Sequence, residues 1–420
     1  MRILVVCGSL RVNETSSGIV SSTFLKVLEQ KATKLKVITL NDFAYPVTWL
    51  SNNTEVEKLD FRKSKRFYEY IPKLKGLLSH LLKKPLAYYN IEVAFNNGIK
   101  KELESAQYDI IYFLGTGVSI VPYISILKGN IKIPIYVNLH DPFPMSRFPS
   151  PYKKKDTYLD NVLIKKMDSL LKKADRISLP SLYLKEFMGQ YYSAINEKGF
   201  VVPHIGTHLE NLPKKQGSEN ELNSIKIDTS KINIFHLGTL LNMRNPKYLL
   251  MAIAELNKEV PGFENDVNFT FIGKVLVPEG DIANGDSIKN VSILGSRISY
   301  ENSIELQKKA DGLLIIEAIS DFSPFLPGKF SDIVNVEKPI IALSPEKSEV
   351  RRLLGPSYPF QSELDDCQKI KIMLLDFYNA IINKENRYKE KIIELKEYIS
   401  VAQNAELVFN DFEKQLKKTK

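Results

Sequence analysis

Short apolar runs that stop at a glycine or a small polar loop, then resume after a helical stretch, leave this chain few folds to choose from. Residues 2–7 form the first run and close on Gly8-Ser9-Leu10. A polar loop from Asn13 to Gly18, a helical stretch over 19–31 and a second run over 36–40 follow. This strand–loop–helix–strand unit starts a doubly wound α/β domain. The rhythm returns at 109–114, ending in Gly115-Thr116-Gly117, and at 133–139, ending in His140-Asp141-Pro142-Phe143-Pro144. A helix over 159–174 and strands over 176–179 and 200–203 complete the series. Residues 207–230 are polar and rich in Lys, Asn and Ser, as a linker is.

A second series begins at 232–237, which ends in Gly238-Thr239. Strands over 268–272 and 291–294 end in Gly273-Lys274 and Gly295-Ser296-Arg297, and a last run spans 312–316. Helices are expected over 246–257 and 300–310, and residues 365–420 read as helical throughout. The pattern therefore predicts an α/β chain. Residues 1–206 make one Rossmann-like domain and 231–397 a second. Residues 398–420 make a C-terminal helix that returns to the first domain.

Composition narrows the classes of function. A chain of 420 residues, 44% hydrophobic and 25% charged, is a globular protein with ample core. Cys7 and Cys367 have no metal-ligand spacing, which fits a reducing, cytoplasmic setting. The N-terminal apolar run is too short for a signal peptide, and no stretch approaches the roughly 18 apolar residues of a membrane span. Gly8 and Gly18 do not make the Gly-x-Gly-x-x-Gly pattern, which argues against a tightly held dinucleotide; no cofactor is expected. The net charge of +9 suits an acidic partner.

Residues 61–101 break the α/β rhythm. They carry ten Lys or Arg against two acids, interleaved with aromatic and aliphatic residues at spacings of three and four. Two readings stand: peripheral attachment to an anionic membrane surface, or a solvated basic face on packed helices. No nucleic-acid motif accompanies the charge, and no nucleic-acid partner is expected.

Residues 323–345 concentrate the chemistry. A Pro- and Gly-rich loop runs to Gly328 and opens into a short helix ending near Glu337-Lys338, before a buried strand over 340–343. Pro327 sits where a missing N–H costs least. A loop feeding a helix N-terminus is an anion site, and Lys329 adds a full positive charge. Asp332, three residues on, puts a carboxylate suited to hydroxyl groups on the same face. His140 and Asp141 lie beyond the end of a strand, where α/β folds place ligands. His204 reads as structural, and His236 as a residue within a strand. Glu317 ends a strand, and Arg297 follows one; each is open between a ligand contact and an exposed charge.

Four segments in this order resemble the GT-B glycosyltransferases, specifically the family-4-like enzymes of bacterial surface-glycan assembly. They are His140-Asp141 after its strand; Ala174 to Ser178 with Val202 to Gly206; Phe235 to Thr239 with Arg244; and Pro324 to Lys329 with Lys338 to Ile341. The resemblance implies two Rossmann-like domains facing across a cleft. It implies transfer of a sugar from a UDP- or GDP-sugar donor to a glycan or lipid-linked acceptor, with positive groups in place of a metal. Gly238 and Thr239 would bring backbone near the donor diphosphate, with Gly18 facing it from the first domain. Arg244 would reach the phosphates, with Lys329, Phe325 and Arg297 also on the donor. Asp332 would hold the nucleotide ribose, and His140 would stand by the donor sugar, so His140 and Lys329 are the candidate catalytic groups. The family's pair of glutamates eight residues apart is missing its first member, since Pro324 stands there. A nucleotide-sugar epimerase on the same fold, or a binding protein without turnover, are the competing readings.

Overall fold

A computed structural model of the protein describes all residues except 61–77, 79–80, 82–88, 116–120, 128, 214–220, 223–224, 226, 279–287 and 420. Most of the basic 61–101 segment thus lies outside the described residues. The chain divides into two compact units, Met1–Pro213 with Ser400–Lys420, and Lys214–Ile399.

The first unit is built on a seven-stranded parallel sheet. Its strands are β1 (Arg2–Cys7), β2 (Lys34–Leu40), β3 (Thr54–Leu59), β4 (Ile110–Leu114), β5 (Ile135–Asn138), β6 (Arg176–Leu179) and β7 (Gly199–Val201). The spatial order is β3-β2-β1-β4-β5-β6-β7. β1 is sandwiched between β2 and β4, and Ile3 to Cys7 are fully buried. A strand covered on both faces has to be apolar throughout, and that is why the run was legible.

β3 was not anticipated. Its sequence, Thr-Glu-Val-Glu-Lys-Leu, alternates charge and apolarity, as an edge strand does. Glu55 and Glu57 gather on Lys36 of β2, with Glu102 at 3.8 Å and Glu57 at 3.3 Å. A buried lysine is tolerable there because it is paired several times over.

Helix Val401–Thr419 belongs to this unit. Ala405, Val408, Phe409 and Phe412 recur at helical spacing and are buried. The Phe412 ring meets Tyr136 edge-on at 4.7 Å. Asp411 accepts two bonds from Arg176, at 2.9 and 2.6 Å, and one from the Tyr136 hydroxyl at 2.7 Å.

The second unit has a six-stranded parallel sheet of β8 (Ile232–Leu237), β10 (Val267–Ile272), β12 (Val291–Leu294), β13 (Gly312–Ile316), β15 (Ile340–Leu343) and β17 (Gln361–Ser362). The order is β12-β10-β8-β13-β15-β17. Two short parallel ladders sit beyond the strand ends: β9 (Leu240–Leu241) with β11 (Val275–Leu276), and β14 (Phe322–Ser323) with β16 (Lys347–Ser348). The expected C-terminal helical stretch is three helices, Cys367–Ile382, Lys389–Tyr398 and Val401–Thr419. Among the described residues no helix is long and apolar enough to cross a membrane.

Candidate anion site in the second unit

The second sheet has a topological switch point. The chain builds outward from β8 through β10 to β12, then crosses to β13 on the other side of β8. Parallel α/β sheets bind ligands at such a point, beyond the carboxyl ends of the two strands. Here those ends are Gly238, after β8, and Glu317, after β13.

Two glycines let the backbone close up at this place. The Gly238 amide donates to the Ile272 carbonyl at 2.8 Å, extending the ladder past the strand. Gly273 has φ +147°, and a Cβ there would strike the Gly238 carbonyl oxygen. Only glycine accepts both conditions. A Cβ on Gly238 would instead meet Lys329 Nζ at 3.1 Å, so the lysine lies directly over this glycine.

Lys329 is the second residue of helix Gly328–Asn335, entered from Pro327 in extended backbone. Its Nζ stands 3.4 Å from His236 Nδ1 and 3.5 Å from Nε2. His236 is buried in β8, with Nδ1 3.2 Å from the Leu314 carbonyl. A neutral ring with its proton on Nδ1 donates to that carbonyl and leaves Nε2 as an acceptor facing the ammonium. Burial holds the imidazole well below its usual range, and the charge of Lys329 pushes the same way. Lys329 is itself brought down to about 7 by burial and by the Arg244 guanidinium, with Glu317 opposing. Arg244 closes the short turn Asn242–Arg244; the Ile319 amide donates to the Met243 carbonyl at 3.2 Å and binds that turn to the segment after β13.

Glu317 is 4% exposed. Ser323 donates to its Oε1 at 2.6 Å, while Oε2 has no hydrogen-bond partner. Burial raises this carboxyl to about 7, against the Ser323 bond and the Arg244 charge. Lys329, Arg244, His236, Gly238 and Glu317 thus form one electrostatic cluster at the switch point. A lysine that is half-charged near neutrality beside a permanent guanidinium is a receptive place for an anion.

The remaining sequence-derived candidates are distributed differently. Asp332 is 8% exposed and accepts from the Tyr300 hydroxyl at 2.9 Å; burial raises it to about 7. Thr239 and Phe325 are half-buried near the strand ends, and Arg297 is exposed. His140 and Gly18 belong to the first unit. The His140 ring lies edge-on to His204 at 6.0 Å, and burial together with His204 lowers it to about 3. The Gly18 amide donates to Thr15 Oγ1 at 3.1 Å, and a Cβ there would lie 2.6 Å from the Arg11 backbone. Packing alone therefore requires that glycine.

Sequence reasoning gave no definite role to Glu317 and no site role to His236, and it did not single out Tyr300. The position of Glu317 at the end of an apolar run was the available signal; His236 and Tyr300 carried none. Among the described residues no group of three or more His, Cys, Asp or Glu could hold a metal ion.

No protein-family model and no curated protein matches this chain. Solved structures do. A sucrose-phosphate synthase from Thermosynechococcus elongatus superposes with a TM-score of 0.67 at 12% identity, covering 100% of both chains. A UDP-forming α,α-trehalose-phosphate synthase from Burkholderia xenovorans, in complex with glucose-6-phosphate, gives 0.63 at 11% identity over 98% of this chain and 100% of that one. Anabaena HepE, in complex with UDP and glucose, gives 0.62 at 14% identity over 99% and 100%. At such identities the likeness is one of architecture, and it shows the fold: this chain is built as a GT-B protein of two Rossmann-like units.

Proposed function

We propose that this protein is a glycosyltransferase that moves a sugar from a nucleotide-sugar donor to a glycan or lipid-linked acceptor in cell-surface polysaccharide synthesis. The observation that carries the reading is Lys329 lying over Gly238 with Arg244 close by, at the switch point of the second sheet. The leaving nucleoside diphosphate builds negative charge in the transition state, and preformed positive groups stabilise it most where water is excluded. Lys329, Arg244 and the amides opening helix Gly328–Asn335 take that role. Asp332, freed from Tyr300 or sharing it, meets the ribose, and Phe325, Thr239 and Arg297 line the donor. Gly18 and His140, in the first unit, stand as candidates on the sequence resemblance alone. UDP is the favoured nucleotide, because HepE is known with UDP and glucose and the trehalose-phosphate synthase is UDP-forming. The basic 61–101 segment supplies contact with an anionic membrane surface at the cytoplasmic face.

Incubation with a panel of UDP- and GDP-sugars and lipid-linked acceptors tests this. Free nucleotide together with a glycosylated acceptor is the expected result. An isomerised sugar supports an epimerase instead. Tight binding with no turnover on any acceptor supports a binding protein, which the buried Pro324 at the family's glutamate position would suit.

A further inference from the structure

We infer that Glu317 is the positioning residue of the anion site: its buried carboxylate fixes the loop that delivers Lys329 and sets a negative group against that lysine. The inference rests on the donor-site reading above for its ligand, but not for its main measurement.

The geometry comes first. Glu317 follows β13, and its amide continues the parallel ladder by donating to Leu343 at 2.9 Å. The backbone is therefore held, and the side chain starts from a fixed point. Oε1 takes the Ser323 hydroxyl at 2.6 Å. Ser323 lies in β14, in register with Ser348 of β16, and the loop from Ser323 leads straight to Gly328 and Lys329. One carboxylate thus pins the start of the segment whose other end carries the lysine.

The charges around it decide the second role. The charge of Arg244, in the turn after β9, acts on Glu317, and the charge of Glu317 acts on Lys329 of helix Gly328–Asn335. Ser348 lies beside it, and Glu349, the first residue of helix Glu349–Leu354, adds a like charge. Both Glu349 oxygens are taken by Arg352, at 2.7 and 3.0 Å. Facing Lys329 are His236, Arg244 and Glu317. Burial and the guanidinium disfavour the ammonium, and the neutral His236 ring offers it only Nε2 as an acceptor, at 3.5 Å. Glu317 is the group that opposes deprotonation. It is too deeply buried to meet a ligand directly, so it acts through Lys329.

The test reads Lys329 itself. In the full-length protein, labelled lysine side chains are titrated by NMR, with the Lys329 signal assigned by its loss in Lys329→Arg. Glu317→Gln keeps the shape and the acceptor for Ser323 while removing the charge. It should move the Lys329 midpoint to lower pH by about one unit. Glu317→Asp should restore most of it. Ser323→Ala, a milder change on the donor side of the same buried contact, frees the carboxyl to hold its proton and should move the midpoint the same way, by less. UDP affinity measured against pH should follow each midpoint. A merely structural glutamate would weaken binding at every pH and leave the midpoints where they are. Unmoved midpoints in both Glu317→Gln and Ser323→Ala overturn the inference; should Glu317→Gln fail to fold, Ser323→Ala alone decides. Shifted midpoints in a protein that binds no UDP at any pH uphold the inference and overturn the donor-site reading.

Discussion

The two units share a topology and differ in what they place at its singular point. In both, the first strand lies in the middle of the sheet, the next two strands stack to one side, and the chain then crosses to the other. In the first unit that crossing lies between β1 and β4. Cys7 is buried there, its thiol pushed up to about 11 and so kept neutral. Gly115 is packed under the Tyr123 hydroxyl, which donates to the Asn138 carbonyl. Among the described residues, a thiol, a glycine and a tyrosine pack at this point. In the second unit the same crevice has Lys329, Arg244 and Glu317 around Gly238. A fold supplies the place for a ligand, and the side chains decide whether that place holds charge.

The largest expected effect tests that contrast directly. Lys329→Ala or Arg244→Ala alone should weaken UDP binding about tenfold, and the double variant about a hundredfold, or about 2.7 kcal/mol. The control is Arg11→Ala in the first unit, a cation near that unit's switch point held by Asp42 at 3.2 Å and Glu14 at 3.4 Å. It should change UDP affinity less than twofold. Calorimetric titration of the four variants checks this, and equal losses from Arg11→Ala would erase the distinction between the units.

Glycine substitutions come next. Gly273 combines a positive φ with contact against the Gly238 carbonyl, and neither can relax without moving a sheet strand. Gly273→Ala should cost about 2 kcal/mol of stability. Gly115→Ala also strikes buried groups, the Tyr123 hydroxyl and the Asn138 carbonyl, but Gly115 carries no positive φ, so it should cost less. Denaturant unfolding ranks the two, and the reverse order would mean that the first crevice is the more rigid.

The units should also answer acid in opposite senses. His140, lowered to about 3, binds fewer protons in the folded state than its unfolded form does below pH 6.5. Its contribution is lost as pH falls from there. Asp42, half-buried with its carboxyl pushed up, works against it but has the smaller shift. In the second unit Glu317 and Asp332 are both raised to about 7 and bind more protons when folded, and together they outweigh His236, which is held low and works the other way. Stability there rises as pH falls from 7 toward 5. The expected size is on the order of 1 kcal/mol per pH unit in each direction. Hydrogen exchange of β5 and β13 amides at pH 6.5 and 5.2, corrected for intrinsic rates, measures it. Parallel movement of the two sheets would break the contrast.

What could be read in advance followed from burial on both sides. Runs such as Ile3 to Cys7 and Ile340 to Leu343 are apolar because both faces are covered, so each strand announced itself. β3 did not, because an edge strand that shares its charges with Lys36 looks like a polar loop. At the site, Lys329 was legible from its place at a helix start. Its dependence on Glu317 was not, since the two stand twelve residues apart and meet through the Ser323 turn. His236 was hidden for a similar reason: a histidine inside a strand gives no sign of which loop will lie over it.

Asp332 supplies the smallest and most local test. On sequence alone its carboxylate belongs with Lys329, one helical turn away. In the fold it is buried and its Oδ1 is taken by Tyr300, from the neighbouring helix Tyr300–Lys309. Removing that hydroxyl leaves a buried acceptor with one partner fewer, so Tyr300→Phe should cost about 1 kcal/mol of stability. The carboxyl should then hold its proton to still higher pH, because the Tyr300 bond is what lowers it. If Asp332 serves the ribose of a donor, its freed oxygen becomes available and UDP binding holds or improves slightly. If the carboxylate only anchors the helix against Tyr300, UDP binding falls along with stability, because Lys329 rides on the same eight residues. Measuring both quantities on one variant separates a carboxylate that waits for a ligand from one already spent on the fold.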